Sequence, residues 1–417
     1  MGDGMPLLTE VAEWDVLKGF RLLFCCSIAI QLVFRFTHII RFQIATSQDS
    51  SSEIPKIMRV ISVPRFSSGS FKVVLAALII TLVLSATGPL PAFFLLLSSI
   101  LSLVVFSAVW ELSYIHTKAN LIPVILFMLA LLPYHDLPLG QTPIWPLRLI
   151  QVLVAAVWFS SGLGKVKLSG FRWATGKPLR AYLLEHAAFG DLKRAQRLAG
   201  HERICRYAAA ATLVLELTFP LILIPKFAVF YLSAALTFHL FNFLVMRIDF
   251  FSFFCPAYLS FLIAFVPTGP GPSAVSVTDT VAFAGCGLII LFHGFCAFGF
   301  RTFWPFQAFA YYSRWATPDS VQVSRLALHN VDGSTSWIKP LDTYQPKWFY
   351  YGMMRRLWYN QPFESFVIGR ALAADPSLRN GLDTILVMQI SFSRNEDGSF
   401  QSKQELFHEI QRDSAPA

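Results

Sequence analysis

Long apolar runs alternate with short polar connections along roughly the first three quarters of the chain. Runs of roughly 17 to 25 apolar residues can cross the hydrocarbon core of a bilayer, about 30 Å thick, as α-helices. The predicted spans are 20–40, 72–88, 91–110, 120–133, 147–163, 206–225, 227–246, 250–267 and 280–300. Segment 120–133 is short and 250–267 is interrupted by proline, so both are candidates for re-entrant segments. The pattern therefore predicts about eight to nine spans.

The pattern changes after Arg301, where shorter stretches with period-two alternation replace the long apolar runs. Segments 321–328 and 335–339 flank a turn at Asn330–Gly333 and predict a β-hairpin. Segments 384–392 and 400–407 flank the turn residues 395–398 and predict a second one. Segment 348–374 is rich in aromatic and basic residues and predicts one or two helices near the membrane surface.

The composition supports the prediction that the first 300 residues are largely embedded in a lipid bilayer. Hydrophobic residues make up 55% of the chain, charged residues only 14%, and the mean hydropathy is +0.54. The fold class predicted is an all-α polytopic membrane protein, a helical bundle with a small α+β soluble C-terminal appendage. The boundaries predicted are an N-terminal segment 1–19, a bundle 20–300 and a soluble region 301–417. The polar segment 1–18 does not predict a cleavable signal peptide.

Positive charge is concentrated in the loops on one side of the predicted bundle. The formal net charge is +9, and the basic residues cluster in the connections around 41–71 and 164–206. The positive-inside rule places these loops and the C-terminus in the cytosol, and Met1 on the opposite side. Charges that flank membrane spans anchor to lipid headgroups, so we predict no nucleic-acid partner. The predicted location is the endoplasmic reticulum or another endomembrane.

The six cysteines lie in or beside the spans and contain no Cys-x-x-Cys pair. They predict neither a disulfide framework nor a metal site. Candidate chemistry is therefore expected inside the bundle, where each polar side chain is costly and needs a reason.

One face of the span 147–163 is polar. On an ideal helix, Arg148, Gln151, Trp158, Gly162 and Lys165 fall within an arc of about 100°. Arg148 and Lys165 stand roughly 25 Å apart along the axis and cannot serve one small site. Arg148 is interpreted as an interfacial anchor, whereas Lys165 is either a second anchor or a functional amine.

A second polar group lies on the next two spans. Glu216 interrupts an apolar run, and His239, Asn242 and Asp249 share one face of the following helix. Counted from the turn between the helices, Glu216 is about 13 Å deep and His239 about 20 Å, an offset that side chains nearly close. This predicts a Glu216–His239 pair, which either transfers protons or forms a structural interhelical hydrogen bond.

The order of these residues resembles the signature of the HTTM family, transmembrane domains related to vitamin K-dependent gamma-carboxylase. The resemblance covers roughly 120–265. The matching residues are Arg148 with Gln151, Trp158 with Phe159, Gly162, Lys165, Trp173, Gly176, Glu216 with Pro220, and His239 ahead of Phe250.

The resemblance implies that Lys165 is a catalytic base. In the carboxylase two adjacent lysines follow the glycine, and the second deprotonates vitamin K hydroquinone. Here Gly164 occupies the first of those positions and Lys165 the second. About 100 residues replace the large lumenal domain that holds the carboxylase's protein substrate. The resemblance also implies a site that opens to the lumen, whereas the charge rule places Lys165 near the cytosol.

Three functions are compatible with these residues. The first is a biosynthetic enzyme acting on a lipophilic, prenylated small molecule, with terpene-cyclase-like cyclisation favoured. Lys165, Glu216 and His239 would be catalytic and Gln151, Trp158, Trp173 and Asn242 would bind substrate. This reading needs no cofactor. The second is a quinone-dependent carboxylase or epoxidase, which needs a reduced quinone. The third is a transporter or membrane scaffold. The sequence does not indicate whether the protein is a monomer or an oligomer.

Overall fold

The computed structural model describes most of the bundle and part of the C-terminal region. The described residues are 10–12, 16–36, 39, 66–108, 121–132, 142–190, 193–251, 254–265, 268–270, 277–298, 321–330, 333–337, 382–397 and 399–411. The predicted helical segment 348–374 lies outside them.

The described residues up to 298 are mainly helical, and the described residues after 298 form mainly β-strands. In chain order the elements are β1 (Glu10–Ala12), α1 (Val16–Phe34), α2 (Ser68–Thr87), α3 (Pro91–Ala108), α4 (Leu121–Ala130), β2 (Thr142–Pro143), α5 (Trp145–Ser169), α6 (Lys177–Gly190), α7 (Lys193–Gly200), α8 (Glu202–Thr218), α9 (Pro225–Met246), β3 (Thr268–Pro270), α10 (Val277–Phe298), β4 (Gln322–Asn330), β5 (Thr335–Trp337), β6 (Leu382–Arg394) and β7 (Phe400–Gln411). Three 3₁₀ helices, Gly170–Thr175, Phe219–Leu223 and Cys255–Phe265, follow α5, α8 and α9.

Within the described residues, five helices are long and apolar enough to cross a membrane. They are α1, α2, α5 with its 3₁₀ extension, α8 with its 3₁₀ extension, and α9. Shorter apolar helices occupy 91–106, 121–130 and 280–292. Their outward faces carry exposed large apolar side chains, such as Val73, Phe230 and Leu291. These features confirm a multi-pass membrane protein, while the count of eight to nine spans stays a prediction.

The segment predicted as the span 250–267 contains a 3₁₀ helix of 11 residues, Cys255–Phe265, in place of a long α-helix. Pro256 lacks a backbone N–H and favours the start of a helix over its interior. At about 2.0 Å per residue, such a helix is roughly 22 Å long. Tyr258, Ser260 and Phe261 are buried, so this helix is packed inside the bundle against α5.

A three-stranded sheet gathers the starts of three helices at one end of the bundle. Strand β1 lies between β2 and β3 and pairs with both in antiparallel register. These strands precede α1, α5 and α10 in the chain. The starts of these three helices therefore lie at the same end of the bundle.

Both predicted C-terminal hairpins are present, and they form one sheet. Strand β4 pairs with β5, and β6 with β7, while β4 and β6 join the hairpins in the order β5-β4-β6-β7. In the second turn, Ser399 donates its N–H and its hydroxyl to Asp397 Oδ1, at 2.8 and 2.6 Å. These bonds lower the pKa of the Asp397 carboxyl below its usual value.

The sheet packs against the two amphipathic helices α6 and α7, which the sequence analysis did not predict. The guanidinium of Arg180 lies 5.3 Å from the centre of the Phe400 ring. Gln196 donates to the Phe400 carbonyl at 2.6 Å. Basic residues of α7, such as Lys193 and Arg197, remain exposed, which is why the sequence pattern looked like a charged loop.

Candidate active site

Two glycines allow α8 to approach α5 and its 3₁₀ extension closely. A Cβ on Gly162 would lie 2.9 Å from Glu216 Cβ and 3.1 Å from the Leu217 nitrogen. Gly176 has a φ of +82°, and a Cβ there would lie 2.6 Å from the Arg206 nitrogen. Side chains at either position would push α8 away, so both glycines fix where Glu216 lies.

Lys165 and Glu216 form a buried ion pair at this crossing. Lys165 Nζ lies 2.7 Å from Glu216 Oε1, and the two side chains are only 3% and 5% exposed. Ser161, one helical turn before Lys165, accepts from Lys165 Nζ at 3.0 Å and donates to Glu216 Oε1 at 3.1 Å. Lys165 Nζ also lies 5.2 Å from the centre of the Trp173 ring. Two buried charges are thus neutralised inside an apolar environment.

One carboxylate oxygen of this pair is left over. Glu216 Oε2 is buried and has no hydrogen-bond partner among the described residues. A buried acceptor without a partner is expensive, and such groups are concentrated at sites that bind or transform a ligand. Glu216 also lines the cavity described below, so a molecule bound there would lie beside this carboxylate.

A second polar chain connects three helices. Trp158 donates its Nε1–H to the Tyr258 hydroxyl at 2.8 Å, and that hydroxyl lies 2.8 Å from His239 Nε2. The indole nitrogen can only donate, whereas the direction of the bond between the Tyr258 hydroxyl and His239 depends on the tautomer of the imidazole. The His239 side chain is buried. Its ring lies among Phe250, Phe254 and Trp158, with centroid distances of 4.8, 5.7 and 5.4 Å.

Both polar groups face one cavity of about 280 Å³. Its walls come from α5, α6, α8, α9 and the residues around 250–254. The polar lining residues include Ser161, Lys165, Tyr182, Thr212, Glu216, Thr237, His239 and Asn242. The aromatic lining residues include Trp158, Trp173, Phe238, Phe241, Phe250 and Phe254. An aromatic pocket with a few convergent polar groups is typical of small-molecule sites.

The cavity brings together most of the residues singled out from the sequence. Its lining includes the predicted catalytic residues Lys165, Glu216 and His239. It also includes three of the predicted substrate-binding residues, Trp158, Trp173 and Asn242. The catalytic and binding roles themselves stay predictions.

The structure differs from the sequence analysis at two places in this site: Gln151 lies outside the cavity lining, where its binding role stays a prediction, and the predicted Glu216–His239 pair is wrong. Gln151 is absent from the cavity lining and donates to the Ser260 carbonyl at 2.8 Å, so it ties α5 to the buried 3₁₀ helix. The predicted Glu216–His239 pair does not form, because Glu216 turns to Lys165 across the close crossing at Gly162. His239 bonds to Tyr258 instead.

Sequence reasoning missed Ser161 and Tyr258. Ser161 precedes Lys165 by four residues and therefore lies on the same helical face, a signal that was present. Tyr258 lies in the segment read as a membrane span, so nothing in the pattern connected it to His239. The ion pair of Arg35 with Asp249, which links α1 to the end of α9, was also missed.

No match was found when the chain was compared with known protein families, with curated proteins and with solved structures.

Proposed function

We propose that this membrane protein is a biosynthetic enzyme that converts a lipophilic, prenylated small molecule by acid/base chemistry, with cyclisation as the favoured reaction. The observation that carries the proposal is the buried Lys165–Glu216 pair facing an aromatic cavity with one carboxylate oxygen unbonded. A structural ion pair alone does not require such a cavity.

The pair holds one mobile proton, which is sufficient for the reaction. An ammonium with a carboxylate carries the same number of protons as an amine with a carboxylic acid. In the second form, Glu216 Oε2 donates its proton to a substrate double bond, forming a C–H bond and a carbocation. A second double bond of the substrate then attacks this carbocation, so that the ring C–C bond forms and the cationic centre moves to the far carbon of that double bond. The neutral Lys165 amine removes a proton from a carbon next to the new cationic centre and restores one double bond. Substrate and product are isomers, and no oxidant or reductant is consumed.

The cavity walls suit a carbocation. Ring faces attract cations, and Trp158, Trp173, Phe238 and Phe254 line the cavity around the pair. Apolar walls also limit the access of water, which would otherwise capture the cation. His239, oriented by Tyr258, provides a second proton carrier on the opposite wall.

We further propose an HTTM-like bundle of eight to nine spans in an endomembrane. The support is that most of the signature residues have a physical role here. Gly162 and Gly176 permit the close crossing, Trp173 contacts Lys165, and Trp158 holds the Tyr258–His239 chain. This same support keeps a quinone-dependent carboxylase as the alternative.

Comparison of metabolites from cells that express wild-type or variant chains tests the proposal. We expect Lys165→Ala, Glu216→Gln and His239→Ala to lower product formation by about 10²–10⁴-fold, as loss of an acid or base does. Lys167→Ala and His201→Ala are matched controls, since both side chains are exposed and neither lines the cavity. Full conversion by all three site variants, at equal expression, would refute the assigned site.

The mass of the product separates the alternatives. An isomer of the substrate supports cyclisation. A product heavier by carbon dioxide or by one oxygen atom would instead indicate the carboxylase or epoxidase reaction.

A further inference from the structure

Helices α8 and α9 are consecutive in the chain but do not pack against each other. They are joined by the short 3₁₀ helix Phe219–Leu223, yet beyond this turn their backbones make almost no close approach. Helix α8 packs on α5 and its 3₁₀ extension, whereas α9 packs on the two neighbouring 3₁₀ helices. A wedge therefore opens between α8 and α9, and we call it the α8–α9 wedge.

Side chains close the wedge at both ends. Near the turn, Phe219 stacks on Trp158 with a centroid distance of 4.5 Å and meets Tyr231 at 5.8 Å. At the other end, α6 contacts both α8 and α9 and contributes Leu179 and Tyr182 to the cavity lining. Within the part of the chain that the structure describes, the middle of the wedge remains as an opening.

The cavity reaches the outer surface of the bundle through this opening. Thr237 and Phe241 of α9 line the cavity and are also exposed. Ala208 and Thr212 of α8 line it as well and are half-buried. Both helices thus place cavity-lining residues at or near the outer surface, which is where we place the opening.

The exterior beside α8 and α9 is expected to be hydrocarbon. Both α8 and α9 are long and apolar enough to span a membrane. Their outward faces expose Val214, Leu240 and Leu244, with 61%, 47% and 50% of their surface accessible. The opening therefore faces acyl chains, from which a molecule dissolved in the bilayer can enter.

The charges of the lining restrict the headgroup of such a molecule. Among the described lining residues, Lys165 is bonded to Glu216, so their charges neutralise each other. Lys165 is the one lysine or arginine in that described lining, and His239 Nε2 is engaged by the Tyr258 hydroxyl. An anionic headgroup such as a diphosphate would find no uncompensated lysine or arginine there, and burying it would be costly.

We propose that the α8–α9 wedge is a lateral portal for an uncharged isoprenoid amphiphile dissolved in the bilayer, whose double bond reaches the Lys165–Glu216 pair while its remaining chain lies between the helices. The isoprenoid chain and the reaction of its double bond rest on the proposed function, but the portal and the absence of charge on the ligand do not.

Photolabelling in membranes tests the portal without measuring conversion. The probe is an isoprenoid alcohol bearing a diazirine, and the readout is labelling of peptides that line the cavity. We expect Thr237→Trp and Phe241→Trp to reduce cavity labelling at least about tenfold, because indole would fill the opening. Leu240→Trp is the matched control, since Leu240 lies on the exposed face of α9 but does not line the cavity.

Two further measurements test whether a loss of labelling has another cause and whether the ligand is uncharged. Phe241→Ala widens the opening and should keep or increase labelling, which distinguishes blockage from misfolding. A diphosphate with the same isoprenoid chain should label the cavity at least about tenfold less than the alcohol. Equal labelling of wild type, Thr237→Trp and Phe241→Trp would overturn the portal, and equal labelling by the diphosphate would overturn the uncharged ligand.

Failure of the proposed function would look different. If the cavity is labelled as expected while Glu216→Gln converts substrate normally, the portal stands and the assigned acid is wrong. If Glu216→Gln abolishes conversion while blocked variants still admit the probe, the acid stands and the portal is wrong.

Discussion

Lys165 and Glu216 support each other's burial. Their side chains are almost fully inaccessible, so each charge depends on its partner for compensation. Removing one partner of a buried pair leaves an uncompensated charge, whereas replacing both by apolar residues of similar volume is often neutral. The pair is therefore expected to contribute little net stability, which is consistent with a functional role.

This leads to a stability prediction for single and double variants. We expect Lys165→Met alone to destabilise the protein by about 3–5 kcal/mol, since Glu216 would be stranded. The double variant Lys165→Met with Glu216→Leu should lie within about 1 kcal/mol of wild type and be inactive. Unfolding monitored in detergent micelles measures both. A single variant as stable as wild type would contradict the buried pair.

The sequence indicates which residues are candidates for the site, but it does not indicate which of them contact each other. Lys165, Glu216 and His239 were identifiable because charge and imidazole inside apolar runs need a reason. Counting depth from the turn predicted Glu216 beside His239, but depth says nothing about the direction in which a side chain points. Glu216 faces α5 because Gly162 permits a close approach, a contact that no local pattern reveals.

At the scale of elements, the crossing of α5 and α8 positions the site. Gly162 is the point of closest approach, and an added methyl group would meet Glu216 Cβ and the backbone of Leu217. A flexible side chain could rotate to relieve this contact, but the backbone of Leu217 could not. Helix α8 would have to move as a unit and take Glu216 with it.

We therefore expect Gly162→Ala to destabilise the protein by about 1–3 kcal/mol, the usual effect of overpacking, and to lower conversion. Gly287→Ala on α10 is the matched control, because a Cβ there meets nothing within 4 Å. That control should be neutral or gain about 0.5–1 kcal/mol, since alanine is the better helix former. Thermal unfolding of the two variants decides, and equal stability would argue against the close crossing.

The elements that sequence reasoning misread share a physical cause. Segment 250–267 has the hydropathy of a span, but it forms a buried 3₁₀ helix that supplies Tyr258 to His239. Helices α6 and α7 were missed because α7 and the first residue of α6 carry exposed basic side chains, as a charged loop does. Hydropathy shows that a segment avoids water, but it does not distinguish a segment that faces lipid from one that is buried in the protein interior.

At the scale of the whole molecule, the membrane environment of the chain was the property most easily predicted from the sequence. A chain with 55% hydrophobic residues has too little polar surface to cover itself in water. The two hairpins followed from alternation and turn residues, but their union through β4 and β6 is a long-range pairing that local patterns do not encode. The cavity likewise depends on five separate elements and on the divergence of α8 from α9.

The central claim is that Glu216 protonates a carbon of the substrate, and isotope incorporation tests it most directly. Membranes containing the protein would convert substrate in heavy water, and the product would be analysed by mass. Because the Glu216 proton exchanges with solvent, we predict that the wild-type product is an isomer carrying one added deuterium on carbon, and that Glu216→Gln forms almost none. Isomeric product without deuterium, or deuterated product formed at the wild-type rate by Glu216→Gln, would contradict the account.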